Sequence, residues 1–299
     1  NNKILFKDVS ILCSTLASCT FLSNLMLNLC KNKIGATGAS KIFSALKNCK
    51  QLSILNLDLS YNQIGTQNTF GLGSELADCQ NLQNLTLHFD YNQIDTLTAK
   101  DLVLTLASCP NISILMLKLY DNLIDEQGGL ALGSALSNFK NLSNLTLDLS
   151  YNRIGEFGAQ YLGQAFINCA SLQNLALYLI YNSICSQGAL MLCNSLAKCT
   201  NISTLSLNLY DNLIGSQAAS ELLNVLTKSN NISNLTLDLS DNQIDDVGAS
   251  GLGSALAKSN SISILKLNLS CNQICAQGAL DLCSALAKCS KILVLNLNL

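Results

Sequence analysis

The stretch Leu52-Ser-Ile-Leu55-Asn-Leu57-Asp-Leu59-Ser-Tyr-Asn62-Gln-Ile64 decides how this chain folds. Leucine at positions 55, 57 and 59 has the two-residue period of a strand with one buried face. The asparagine that follows recurs at Asn32, Asn62, Asn92, Asn122, Asn152, Asn182, Asn212, Asn242 and Asn272, one every thirty residues. A fixed period of this length marks a stack of like units, none of which can bury its apolar faces alone. Strand segments begin at Leu22, Leu52, Leu82, Ile112, Leu142, Leu172, Ile202, Ile232, Ile262 and Ile292.

Outward from that phrase, each unit reads strand, turn, helix, loop. Gly188-Ala-Leu-Met-Leu-Cys-Asn-Ser-Leu-Ala-Lys-Cys199 has helical spacing, with Leu192 and Leu196 four apart. Small residues at Gly73, Gly133, Gly163 and Gly253 predict close packing of neighbouring helices. Strands joined through helices in one direction give a parallel sheet. The repeated asparagine is expected to satisfy backbone groups where the chain bends out of the strand, and in register to form a ladder. A ninety-residue period lies above the thirty: Leu119-Tyr-Asp-Asn-Leu-Ile124 returns as Leu209-Tyr-Asp-Asn-Leu-Ile214, consistent with duplication of a three-repeat block.

Composition narrows the function classes. The chain is 49% hydrophobic and 12% charged, with a net charge of −2. No basic excess is present to neutralise phosphates, so nucleic acid is not an expected partner. No apolar run reaches membrane-span length, so neither is a membrane. Of fourteen cysteines, Cys19, Cys49, Cys79, Cys109, Cys169, Cys199 and Cys289 share one column that elsewhere holds Phe139, Ser229 and Ser259. A column that accepts Phe or Ser is a packing position, which predicts buried free thiols and a reducing, cytoplasmic compartment. One histidine and no C-x-x-C leave no usual zinc set. The N-x-[S/T] triplets at Asn84, Asn111, Asn144 and Asn234 fall at strand starts, where they belong to the repeat pattern.

The segment Asn152-Arg-Ile-Gly-Glu-Phe-Gly-Ala-Gln-Tyr-Leu162 resembles the N-x-I-G-x-x-G-A-x-x-L core of the leucine-rich-repeat family, in its ribonuclease-inhibitor-like class. The likeness runs over essentially the whole chain. It implies an α/β solenoid, a horseshoe with a parallel β-sheet on the concave face and an α-helix from every repeat on the convex face. The family strand phrase L-x-x-L-x-L-x-x-N is lengthened here by one Leu-x pair, which predicts a longer strand. Residues 1–299 are expected to be a single solenoid. It comprises a partial first helix over 1–21, nine full repeats from about 22 to 291, and a truncated strand over 292–299. Further repeats or another subunit are expected to cover its ends. The Asn- and Leu-rich, Trp-free composition resembles repeat families expanded in ciliated protists, which implies a cytoskeletal or ciliary assembly.

In such folds the residues between the leucines line the concave sheet. One column runs Asn28, Asp58, His88, Lys118, Asp148, Tyr178, Asn208, Asp238, Asn268; another runs Lys31, Tyr61, Tyr91, Asp121, Tyr151, Tyr181, Asp211, Asp241, Cys271. Seven of the eight tyrosines fall in these strand segments and only Tyr161 falls on a helix. Tyrosine combines contact area with a polar tip and is enriched at interface hot spots. Aspartates accompany the tyrosines, and a face of one sign favours a basic partner. The expected partner-binding set is Asp90, Tyr91, Tyr120, Asp121, Asp148, Tyr151, Tyr178, Tyr181, Tyr210 and Asp211. His88 beside Asp58 has no accompanying nucleophile or oxyanion donors. No phosphate loop, nucleophile elbow or metal-ligand cluster is present, so neither catalysis nor a cofactor is expected. The expectation is a protein-binding scaffold. The resemblance also implies two alternatives: a regulator of an enzyme, such as a small-GTPase activator or ribonuclease inhibitor, and the sensor region of a longer kinase or receptor chain.

Overall fold

The structure is a computed structural model that describes residues 6–66 and 71–299. Each Leu-x-Leu phrase forms a strand: β1 (Asn24–Asn28), β2 (Ile54–Asp58), β3 (Asn84–His88), β4 (Ile114–Lys118), β5 (Asn144–Asp148), β6 (Asn174–Tyr178), β7 (Thr204–Asn208), β8 (Asn234–Asp238), β9 (Ile264–Asn268) and β10 (Val294–Asn298). They lie in sequence order in one parallel sheet. Register is unslipped, so Leu55 faces Leu25 on one side and Leu85 on the other. From β2 to β9 the leucines at 55, 57 and 59 and their equivalents are buried, and the residues between them face outward. Each strand is five residues long, not lengthened as predicted. Pairing nevertheless continues beyond it, because the N–H groups of Leu59 and Tyr61 donate to the carbonyls of His88 and Asp90, both at 2.9 Å.

The second layer is helical: α1 (Phe6–Ser18), α2 (Gly35–Leu46), α3 (Thr96–Ala107), α4 (Glu126–Leu136), α5 (Gly155–Ile167), α6 (Cys185–Leu196), α7 (Ser216–Leu226), α8 (Asp246–Leu256) and α9 (Ala276–Leu286). Their leucines and small residues close over the sheet to form one continuous core from Val9 to Leu286. Gly133 and Gly163 sit where helices meet. A Cβ on Gly133 would lie 2.7 Å from Ala165 Cβ, and one on Gly163 would lie 3.0 Å from Ser195 Cβ.

The expectation of an α-helix in every repeat is corrected at one place. Between β2 and β3 the described residues form only 3-10 turns, at Ile64–Thr66 and Ser74–Asp78. Gly71 and Gly73 there adopt φ +73° and +88°, which an α-helix does not accept. Gly73 is therefore a turn residue with room for a Cβ, unlike Gly133 and Gly163. The sequence reason is accumulated weak helix formers: Gly65, Gly71 and Gly73. Leu72 and Leu76 still reach the core.

Three polar ladders hold the repeats together. In the first, Asn92 Oδ1 accepts the N–H groups of Asn62 (2.8 Å) and Ile64 (3.3 Å), while its Nδ2 donates to the carbonyls of Leu59 (2.9 Å) and Asp90 (3.2 Å). In the second, Asn81, Asn111 and Asn141 donate to the carbonyls of Lys50, Gln80 and Pro110, at 2.7–2.8 Å. In the third, Ser53 and Ser143 Oγ donate to the carbonyls of Ser23 and Ser113, at 3.1 Å. Together these explain the recurrent Asn-Leu-Ser and Asn-Ile-Ser triplets as structural stitching. Among the described residues, no buried side-chain nitrogen or oxygen lacks a partner.

Candidate partner-binding edge

The asparagine ladder dictates the backbone just before it. To place its amide under the preceding turn, the chain takes a left-handed residue at every copy: Lys31, Tyr61, Tyr91, Asp121, Tyr151, Tyr181, Asp211, Asp241 and Cys271 have φ between +49° and +59°. Bulky residues rarely occupy this region, and the cost is carried by the buried hydrogen bonds around it. The placement of the tyrosines on strands is thereby corrected. Only Tyr178 lies in one, at the end of β6; Tyr61, Tyr91, Tyr120, Tyr151, Tyr181 and Tyr210 all lie in the turns that follow.

The turns bring the rings together in a row: Tyr61–Tyr91 and Tyr151–Tyr181 are stacked, with interplanar angles of 16° and 20°, while Tyr120 is tilted by 50° to Tyr91 and 43° to Tyr151. Centroid separations are 4.1 Å for Tyr61–Tyr91, 5.2 Å for Tyr91–Tyr120, 4.9 Å for Tyr120–Tyr151 and 5.1 Å for Tyr151–Tyr181. Five successive repeats thus carry one tyrosine column along the edge where the strands end. Position 121 is an aspartate, and the column stays continuous because Tyr120, one residue earlier, supplies the ring. Lys31 caps the first ring, with Nζ 5.1 Å from the Tyr61 centroid. Hydrogen bonding to Tyr120 raises the Tyr91 phenol above its ordinary value, and partial burial does the same for Tyr61 and Tyr120.

The aspartates divide into two groups. At strand ends, Asp58, Asp148 and Asp238 accept the N–H two residues on, at 2.9–3.0 Å, as do Asn28 and Asn208 at 2.9 Å and Asn268 at 3.2 Å. These side chains terminate strands. Where the strand ends in Lys118 or Tyr178, the preceding repeat supplies the acceptor. Asp90 Oδ1 takes the Tyr120 N–H at 3.0 Å, and Ser150 Oγ takes the Ile180 N–H at 3.3 Å. Burial pushes the Asp90 carboxyl above its usual range, a rise opposed by that Tyr120 N–H. In the second group, Asp121 and Asp241 are exposed and Asp211 is half-buried. Burial and then the neighbouring Asp241 raise the Asp211 carboxyl.

Of the expected set, then, Tyr91, Tyr120, Tyr151 and Tyr181 come together in one stack. Asp121 stands beside it, and Asp211 continues its column. Tyr210 lies in the turn beyond, its phenol raised by burial and by Asp241 and Asp211. Tyr178 is separate, on the open sheet face in register with Asp148 and Asn208. Asp90 and Asp148 are engaged with backbone. Tyr61, absent from the expected set, belongs to the stack, and its membership of the Tyr91 column was the available signal. Among the described residues no cluster of His, Cys, Asp and Glu suits a metal ion, and no helix is long and apolar enough to cross a membrane.

The leucine-rich-repeat family model matches residues 141–163, 230–253 and 260–283. Those windows run from strand to helix in three copies of the same unit that the sheet repeats throughout. These three windows of the chain carry the leucine-rich-repeat pattern. No curated protein matches the sequence of this solenoid. Among solved structures, an internalin from Listeria monocytogenes is similar at 18% identity and a TM-score of 0.44, covering 93% of this chain and 81% of that one.

Proposed function

We propose that this leucine-rich-repeat solenoid is a non-catalytic scaffold that holds a protein partner with a basic surface along its tyrosine edge. The carrying observation is the five-ring stack, prolonged by Asp211 and Asp241 in the same column. Stacking and the turn hydrogen bonds fix these rings in place, so little side-chain freedom is lost on binding. Exposed carboxylates beside them steer and orient a positively charged surface. Fourteen free thiols, five of them buried in the helix-end column, suit a cytoplasmic location.

The test uses Asp121→Lys, Asp211→Lys and Asp241→Lys in one variant, because these carboxylates do not terminate strands. Partners are captured from cell extract by crosslinking and identified by mass spectrometry. The expected result is loss of basic partners, with an unchanged far-ultraviolet circular dichroism spectrum and thermal midpoint. Capture that is equal for both proteins, and equally insensitive to salt, rejects this edge as the binding surface.

A further inference from the structure

The two ends of the tyrosine stack are built differently. At the first end, the repeat before Tyr61 places Lys31 in the same column, and its ammonium lies over the ring. At the last end, Tyr181 is 56% exposed, against 36–40% for Tyr61, Tyr91 and Tyr151. The next residue of the column is Asp211, and Asp241 follows one repeat later. Tyr210 sits one residue early, as Tyr120 does, yet it does not extend the stack, which ends at Tyr181 among the described residues. After Tyr181 the column therefore continues with carboxylates, where each earlier ring is followed by another ring.

We propose that the outer face of Tyr181, together with Asp211 and Asp241, receives an arginine side chain of the protein partner. The inference rests on the scaffold reading above and specifies one subsite of it. A guanidinium is planar, so it continues a stack whose steps are 4.1–5.2 Å, taking the place that a sixth ring would occupy. Its N–H groups lie in the ring plane, free to reach Asp211 and Asp241 while the flat face rests on Tyr181. An ammonium can do one or the other well but not both, so arginine is preferred to lysine. Lys31 over Tyr61 is the molecule's own example of a cation ending this stack. It also closes that end to a partner, which leaves Tyr181 as the open terminus. Asp211 and Asp241 repel each other in the free protein, and a bound cation relieves that repulsion.

The probe is a fluorescein-labelled glycine–serine peptide bearing three arginines, compared with three-lysine and three-citrulline counterparts by fluorescence anisotropy at low salt. Citrulline keeps the shape of arginine without its charge. The expected order is arginine above lysine above citrulline. Tyr181→Asn removes the ring but keeps a residue suited to left-handed backbone, and should weaken the arginine peptide about fivefold. Tyr181→Phe should retain binding, because the ring face is kept. Asp211→Asn with Asp241→Asn should erase the preference for arginine over citrulline, and Tyr161→Ala, on helix α5 away from this edge, should leave it intact. If arginine and lysine peptides bind equally and Tyr181→Asn changes neither, the subsite is overturned while the basic-partner reading stands. If the citrulline peptide binds as well as the other two, both are overturned.

Discussion

At the scale of the residue, the same side-chain type does unlike work at neighbouring positions. Asp148 and Asp121 both look like members of an acidic strip in the sequence. Asp148 holds the Ser150 N–H at 3.0 Å and closes β5, whereas Asp121 projects from the turn. The distinction was legible in principle, since Asp148's column is shared with Asn28, Asn208 and Asn268, which supply the same carbonyl-type acceptor without charge. Asp148→Asn should therefore keep the cap and leave stability nearly unchanged. Asp148→Ala should cost about 1 kcal/mol, the scale of a lost side-chain cap on a backbone N–H. Urea denaturation of the two variants checks this. A loss as large for Asn as for Ala would mean that charge, not the acceptor, stabilises the strand end. The left-handed tyrosines were not legible in this way. Tyrosine favours strands by local propensity. Its actual conformation at Tyr61 and Tyr91 is imposed from thirty residues away, by asparagine hydrogen bonds that local sequence does not display.

At the scale of the element, the helix-end cysteine column shows how one packing position acquires chemistry. Cys79 Sγ donates to the Leu46 carbonyl of the preceding repeat at 3.3 Å. Burial pushes the thiols of Cys109 and Cys199 up to about 12. The sign of the linkage follows from that direction. Below pH 9.0, the ordinary thiol value, folded and unfolded chains are both protonated there, and the full stabilisation is present. As pH rises from 9.0 towards 12, the unfolded chain releases protons that the fold retains, and stability falls. Urea midpoints of the wild type should decline over that window more steeply than those of Cys109→Ala with Cys199→Ala. The comparison cancels the tyrosines and lysines that titrate in the same range. Parallel slopes would show that these thiols do not experience the burial the structure gives them. Burial of the column was readable from its tolerance of Phe139 and Ser259. The 3-10 turns that stand among the described residues between β2 and β3 had their signal in Gly71 and Gly73, but the thirty-residue frame around them kept perfect step and masked it.

At the scale of the whole molecule, the thirty-residue period made nearly all of the architecture legible, because every unit meets only its neighbours and repeats the same contacts. The candidate edge was half legible: its columns could be written down, but the ring stack depends on turn geometry that only the assembled ladder creates. That same nearest-neighbour construction has a consequence for unfolding. Stability in such arrays is a sum of unit and junction terms, and cooperativity lasts only while each junction is strong enough to couple the units on either side. Asn152 sits near the middle. Its Oδ1 accepts the Ile124 N–H at 3.0 Å, and its Nδ2 donates to the carbonyls of Leu119 (2.9 Å), Leu149 (3.0 Å) and Ser150 (3.2 Å). Asn152→Leu leaves these groups buried and unpaired at a single junction, at a cost of about 2–5 kcal/mol. The loss should divide the array, so that one urea transition becomes two, each with a smaller denaturant dependence than the parent. Asn272→Leu removes the same kind of bonds near the β10 end, from Asn242, Ile244 and Leu239. It should release only the last repeat as a small early phase, with the main midpoint preserved. Circular dichroism and tyrosine fluorescence, uncomplicated by tryptophan, follow both variants. If the central and terminal substitutions shift a single transition equally, the solenoid unfolds as one global unit and the one-dimensional description is wrong. If the central change alone splits the curve, the asparagine ladder is what makes separate repeats behave as one protein.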